Sequence, residues 1–164
     1  MKTLRVAAIL PLFLVIQLFI ACTNSSSTTS NSGSSANNAA DNSNSARSNV
    51  EELGVLINMP YEAEDVVWKD YQEQKKVVAV LRFSTADANK LVAQAEKVRK
   101  PNPVTVGSES WFPPELVAQS DVSGDNSIKG VSYAADEFLQ APYNDGQITR
   151  IKDTDYFVLE VSAK

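Results

Sequence analysis

The sequence has no histidine and a single cysteine, Cys22. Those absences remove much of enzyme chemistry. Zinc centres draw on Cys and His, and serine or cysteine hydrolases use an imidazole base. A lone cysteine cannot form an intramolecular disulfide. No G-x-S-x-G, no S-x-x-K and no phosphate-cradling glycine loop occurs. Positive charge is also short, with 15 Lys and Arg against 20 Asp and Glu, a net charge of −5. An acidic chain is repelled by nucleic-acid phosphates and anionic lipid head groups, so neither is expected as a partner. No cofactor and no metal is expected.

Long apolar runs are absent, with one exception near the N-terminus. Met1 to Arg5 carries two positive charges, and Val6 to Ala21 is mostly Leu, Ile, Val, Ala and Phe. A membrane span needs about 20 apolar residues. This run is shorter and is interrupted by Pro11 and Gln17. A charged segment, an apolar segment and then a small residue, Ala21, form the layout of a signal peptide.

The run ends in "LFIAC", Leu18 to Cys22. This stretch resembles the lipobox of bacterial lipoproteins, with Ile20, Ala21 and Cys22 matching and Phe19 standing where the family usually has Leu. The resemblance covers about the first 23 residues. It implies that the Cys22 thiol takes a diacylglyceryl thioether and that residues 1–21 are removed as a signal peptide. Loss of Lys2 and Arg5 would take the net charge from −5 to −7. The implied partner is the membrane, through acyl chains on Cys22. The implied address is the cell membrane or outer membrane, with the rest of the chain on the exported side. Thr23 after the cysteine would imply the outer membrane in a host that has one.

Residues 22–49 follow as the lipidated cysteine and a tract of Ser, Asn, Thr and Ala, with only Asp41 and Arg47 charged. Such a segment buries nothing to offset its backbone entropy and is expected to be a disordered tether. Residues 50–164 remain, enough for one modest core.

That part reads as α+β. "VVWKDY" (Val66–Tyr71) and "KKVVAVLRF" (Lys75–Phe83) form a hairpin. "STAD" at Ser84–Asp87 has capping-box form. Ala88, Leu91, Val92 and Ala95 then make one apolar stripe of a helix that Pro101 stops. "PPELVAQ" (Pro113–Gln119) suggests a short helix with proline in its first turn. Residues 128–139 fit strand or helix. "QITRI" and "YFVLEVSA" flank "KDTD" as a terminal hairpin. The expected fold is a small antiparallel sheet with one main helix, or two counting the short one, on one face. Val77, Ala79, Leu81 and Phe83 should face Leu91, Val92 and Ala95, with Leu159 and Val161 nearby.

Few residues carry chemistry. Asp153 with Asp155, or Glu62 with Glu64 and Asp65, could supply a carboxylate pair for a small envelope hydrolase. Two loops, Asp121–Ser127 and Asn144–Ile148, partly copy calcium loops. The first has Asn126 where the glycine belongs, and the second has Lys152 at the closing position. Both read better as polar turns. "WFPP" (Trp111–Pro114) is a proline-stiffened aromatic pair. Trp111 and Phe112 either form a platform for an envelope protein or glycan, or pack beneath the sheet. The leading expectation is a lipid-anchored, non-catalytic binding or structural domain. The alternative is the carboxylate hydrolase.

Overall fold

The computed structural model describes residues 45–164. Cys22 and the tether as far as residue 44 lie outside the described residues. The described elements are α1 (Val50–Leu56), β1 (Ala63–Tyr71), β2 (Lys76–Phe83), α2 (Thr85–Val98), β3 (Asn102–Gly107), α3 (Pro114–Ser123), β4 (Ser127–Ala134), β5 (Asp145–Ile151) and β6 (Tyr156–Ser162). One antiparallel sheet holds all six strands in the order β1-β2-β6-β5-β4-β3. The fold is α+β, and among the described residues no helix is long and apolar enough to cross a membrane.

Both expected hairpins form. β1 turns into β2 through a short 3-10 turn at Gln72–Gln74, closed by Lys75 in the left-handed region at φ 48°. β5 turns into β6 through Lys152–Asp155, and β2 pairs with β6, which places the two hairpins side by side. The helix α2 starts where its sequence says it should. Ser84 accepts a hydrogen bond from the Asp87 amide at 3.2 Å and satisfies one free donor of the first turn. Ala88, Leu91 and Ala95 are buried against Val77, Ala79, Leu81, Phe83, Phe157, Leu159 and Val161, with Val92 partly buried beside them.

The second helix is present, but it lies on the opposite face of the sheet. Alternation in β2 and β6 explains why. Val77, Ala79 and Leu81 point toward α2, while Val78, Val80 and Val158 point the other way. Strands this apolar on both sides need cover on both. Leu116 of α3 and Phe112 just before it supply that cover, together with Ile128, Ile151 and Tyr156. The segment 128–139, which fits either class by pattern, divides into β4, all but its first residue, and a 3-10 turn at Asp136–Phe138.

The boundary expected between tether and domain at 49/50 needs correction. Arg47 forms an isolated antiparallel bridge with Trp68 on the outer side of β1. The Trp68 indole N–H donates to the Asn49 carbonyl at 3.0 Å, and the Arg47 guanidinium stacks 5.1 Å from the ring centre. Asn49 caps α1 by accepting from the Glu52 amide at 3.1 Å. Leu53 and Ile57 then bury themselves completely. The last residues of the Ser/Asn-rich tract therefore belong to the fold, because Trp68 needs them as partners.

Candidate functional site

Gly107 ends β3, and a tight loop leads to α3. Its turn is closed by the Phe112 amide donating to the Glu109 carbonyl at 3.0 Å. Pro113 and Pro114 follow, fixing the backbone at the first turn of α3. Glu109 and Trp111 are thereby held two residues apart with their side chains joined. The Trp111 indole N–H donates to Glu109 Oε2 at 2.7 Å. The Tyr71 hydroxyl, from the end of β1, donates to the same carboxylate at 2.6 and 2.8 Å. One carboxylate thus orients two half-buried aromatic rings from distant parts of the chain.

The pair joins a longer run of polar side chains on the α3 side of the sheet. Ser132 of β4 donates to Gln147 of β5 at 3.2 Å, and Gln147 donates to Glu160 of β6 at 2.9 Å. Lys76 of β2 lies 3.6 Å from Glu160, and its ammonium stands 5.3 Å from the Tyr71 ring centre. Tyr71 of β1 then reaches Glu109 and Trp111. The belt crosses β4, β5, β6, β2 and β1 in the order in which they neighbour one another. Beside it is a polar hollow of about 300 Å³ lined by Lys76, Arg99, Asp145, Gln147, Glu160 and Ser162.

The belt shows in the ionisation of Tyr71. Burial and the hydrogen bond to Glu109 raise its hydroxyl from the ordinary 10.0 to about 12. Burial also raises the hydroxyl of Tyr156, further along the same face, with the nearby Glu115 adding to the effect.

The two aromatic candidates separate. Phe112 is 4% exposed and packs in the core under α3, so its ring is not available to a partner. Trp111 meets Phe112 edge to face at 4.7 Å and stays half-buried at the surface. Sequence reasoning missed Tyr71 and Glu109. The Glu109–Trp111 spacing carries no recognisable motif, and Tyr71 reaches them only through the fold.

The candidate carboxylates are placed as follows. Asp153 and Asp155 line one hollow of about 440 Å³. Asp155 is engaged by Arg150 at 2.6 Å and by the Thr85 hydroxyl at 2.6 Å. Asp153, at φ 60°, turns to solvent 3.9 Å from Lys152. Glu62, Glu64 and Asp65 line another hollow, of about 560 Å³, and Glu64 sits 3.8 Å from Arg82. The loop after α3 is a polar turn, with Gly124 and Asn126 at φ 76° and 54° and the Ser127 amide donating to Asp125 at 3.1 Å. Among the described residues no group of three or more Asp, Glu, Cys or His stands together as a metal cage. Comparison with protein-family models, with curated proteins and with solved structures gave no match to this chain.

Proposed function

We propose that the chain is a lipid-anchored protein of the bacterial envelope whose domain is a binding module rather than a catalyst. Acyl chains on Cys22 hold it to the membrane, and the Ser/Asn-rich tract sets the domain off the surface. Two or three acyl chains make a lasting anchor, at about 0.8 kcal/mol per buried methylene. The observation that carries the binding reading is the Glu109 clamp. It holds Tyr71 and Trp111 rigidly at the surface, and an aromatic group ordered before binding loses little entropy when a partner arrives. The absence of histidine and the commitment of the only cysteine to lipid favour binding over catalysis.

Fractionation of cells tests the anchor. Cys22→Ser should move the protein from the membrane to the soluble fraction, and retention at the wild-type level would overturn the lipoprotein reading. Cross-linking in intact cells tests the module. Trp111→Ala should abolish the cross-links of the wild-type domain to other envelope components while the protein stays folded.

A further inference from the structure

The belt and its hollow point to a ligand class. We propose that the α3 side of the sheet is a groove for a neutral, hydroxyl-rich glycan strand, with Tyr71 and Trp111 as its aromatic end. This rests on the reading of the domain as an envelope-binding module.

Charge is the first argument. The hollow sets two cations, Lys76 and Arg99, among two anions, Asp145 and Glu160. Both anions are already paired, Asp145 with Lys164 at 2.8 Å and Glu160 with Lys76 at 3.6 Å. A charged ligand must therefore compete with an existing pair, whereas a neutral polar ligand meets no such conflict. The aromatic end is mixed in the same way, with Glu109 on the Tyr71 hydroxyl and the Lys69 and Lys76 ammoniums 5.1 and 5.3 Å from the Tyr71 ring centre.

Hydrogen-bonding type is the second argument. A sugar hydroxyl both donates and accepts, as a serine hydroxyl does. The groove offers carboxylate acceptors next to ammonium, guanidinium and amide donors. A hydroxyl can therefore accept from Lys76 or Arg99 while donating to Glu160 or Asp145. The belt side chains already hold one another through the 2.9 Å Gln147–Glu160 bond and the Lys76–Glu160 pair, so little rotamer freedom is left to lose on binding.

Shape is the third argument. Ser132 of β4 is buried, so the accessible belt runs from Gln147 of β5 to Tyr71 of β1. At about 4.8 Å per strand, those three spacings make a track roughly 14 Å long. Such a track suits an extended chain of sugars better than a single one. Its end carries the half-buried Trp111 ring, which can pack against the apolar C–H surface of a sugar while its N–H stays on Glu109.

The test is isothermal titration of the full chain, purified in detergent, with cellohexaose, maltohexaose and chitohexaose, and with oligogalacturonate as the charged comparison. At least one neutral hexasaccharide should bind, and oligogalacturonate should bind at least tenfold more weakly. Gln147→Leu, Lys76→Met and Trp111→Ala should each weaken binding tenfold or more, while Val122→Ser on the far side of α3 should leave it unchanged. If Trp111→Ala lowers the melting temperature, the two belt variants carry the test. The groove is overturned by no binding of any neutral hexasaccharide at millimolar concentration, by binding indifferent to the belt variants, or by equal binding of oligogalacturonate. Trp111-dependent cross-links to an envelope protein, without glycan binding, would remove this inference and leave the binding-module reading standing. Loss of both would remove both.

Discussion

Arg47 and Trp68 exchange two backbone hydrogen bonds of 2.8 Å, one in each direction. The contact covers the outer edge of β1 at its centre. It also places the start of the domain inside a tract whose composition reads as pure linker. The other edge, β3, is protected differently. The Ser108 amide donates to the Asn126 carbonyl, in register with the β3–β4 ladder, so the even-numbered residues of β3 turn their backbone groups toward β4. Pro103 then faces outward, where a missing N–H leaves nothing for an added strand to pair with.

The first prediction follows from Trp68. A chain beginning at Val50 loses the two Arg47 backbone bonds, the indole bond to Asn49 and the α1 cap. At about 1 kcal/mol for each hydrogen bond and about 1 for the cap, the loss is roughly 3–4 kcal/mol. A chain beginning at Ser45 keeps all four. Urea unfolding of the two should separate their midpoints clearly. Equal midpoints would mean that residues 45–49 contribute nothing to the fold.

The second prediction concerns the face under α2. Leu81 is fully buried there, among residues of β1, β6 and α2. Leu81→Ala should destabilise the domain by roughly 2–5 kcal/mol, the range for leucine truncation in a packed core. A thermal melt reads this directly, and a shift within error would mean that Leu81 is not packed in the core beneath α2.

Glycine supplies a third prediction, of opposite signs at two positions. Gly54 lies inside α1, and a methyl group there would meet nothing within 4 Å. Gly54→Ala should stabilise by about 0.5–1 kcal/mol through helix propensity. Gly130 lies in β4, where a methyl group would stand 2.6 Å from the Thr149 side chain and 2.7 Å from the Arg150 carbonyl. Gly130→Ala should destabilise, because the carbonyl belongs to a paired strand and cannot step aside. Melting temperatures moving in the same direction would contradict the local packing at one of the two sites.

Legibility in the sequence followed the range of the interactions. α2 could be read because its cap, stripe and stop all lie within one stretch, Ser84–Pro101. The two hairpins could be read because each closes locally. β3 was hidden, since "PNPVTV" carries a proline that normally breaks a strand and is tolerated here only at the open edge. α1 was hidden by the polar tract before it, although Asn49 and Glu52 stand in cap spacing. The site was least legible. Trp111 stood out by composition, but its partners Tyr71 and Glu109 are 38 residues apart and meet only after the sheet has formed. Ser132, Gln147, Glu160 and Lys76 align only through strand register.

The fourth prediction uses that long-range contact. Tyr71 ionises near 12 in the folded protein, against the ordinary 10.0. A hydroxyl whose pKa is raised by folding stabilises the native state fully below the unfolded value. That contribution is lost as pH climbs through the folded value. Stability should therefore decline between pH 10.0 and about 12. Tyr133, Tyr143 and Tyr156 are also raised by burial and add to the decline. Tyr71→Phe removes one titrating group and should make the decline shallower without abolishing it. At neutral pH the same change removes a charge-assisted hydrogen bond and should cost about 1.5–3 kcal/mol. Trp111 would keep its bond to Glu109 but lose the second ring that fixes the carboxylate, and its fluorescence should report the looser setting. Unfolding free energies measured across this pH range for both proteins check the sign. An identical slope in wild type and Tyr71→Phe would show that burial and the Glu109 bond do not raise the Tyr71 hydroxyl.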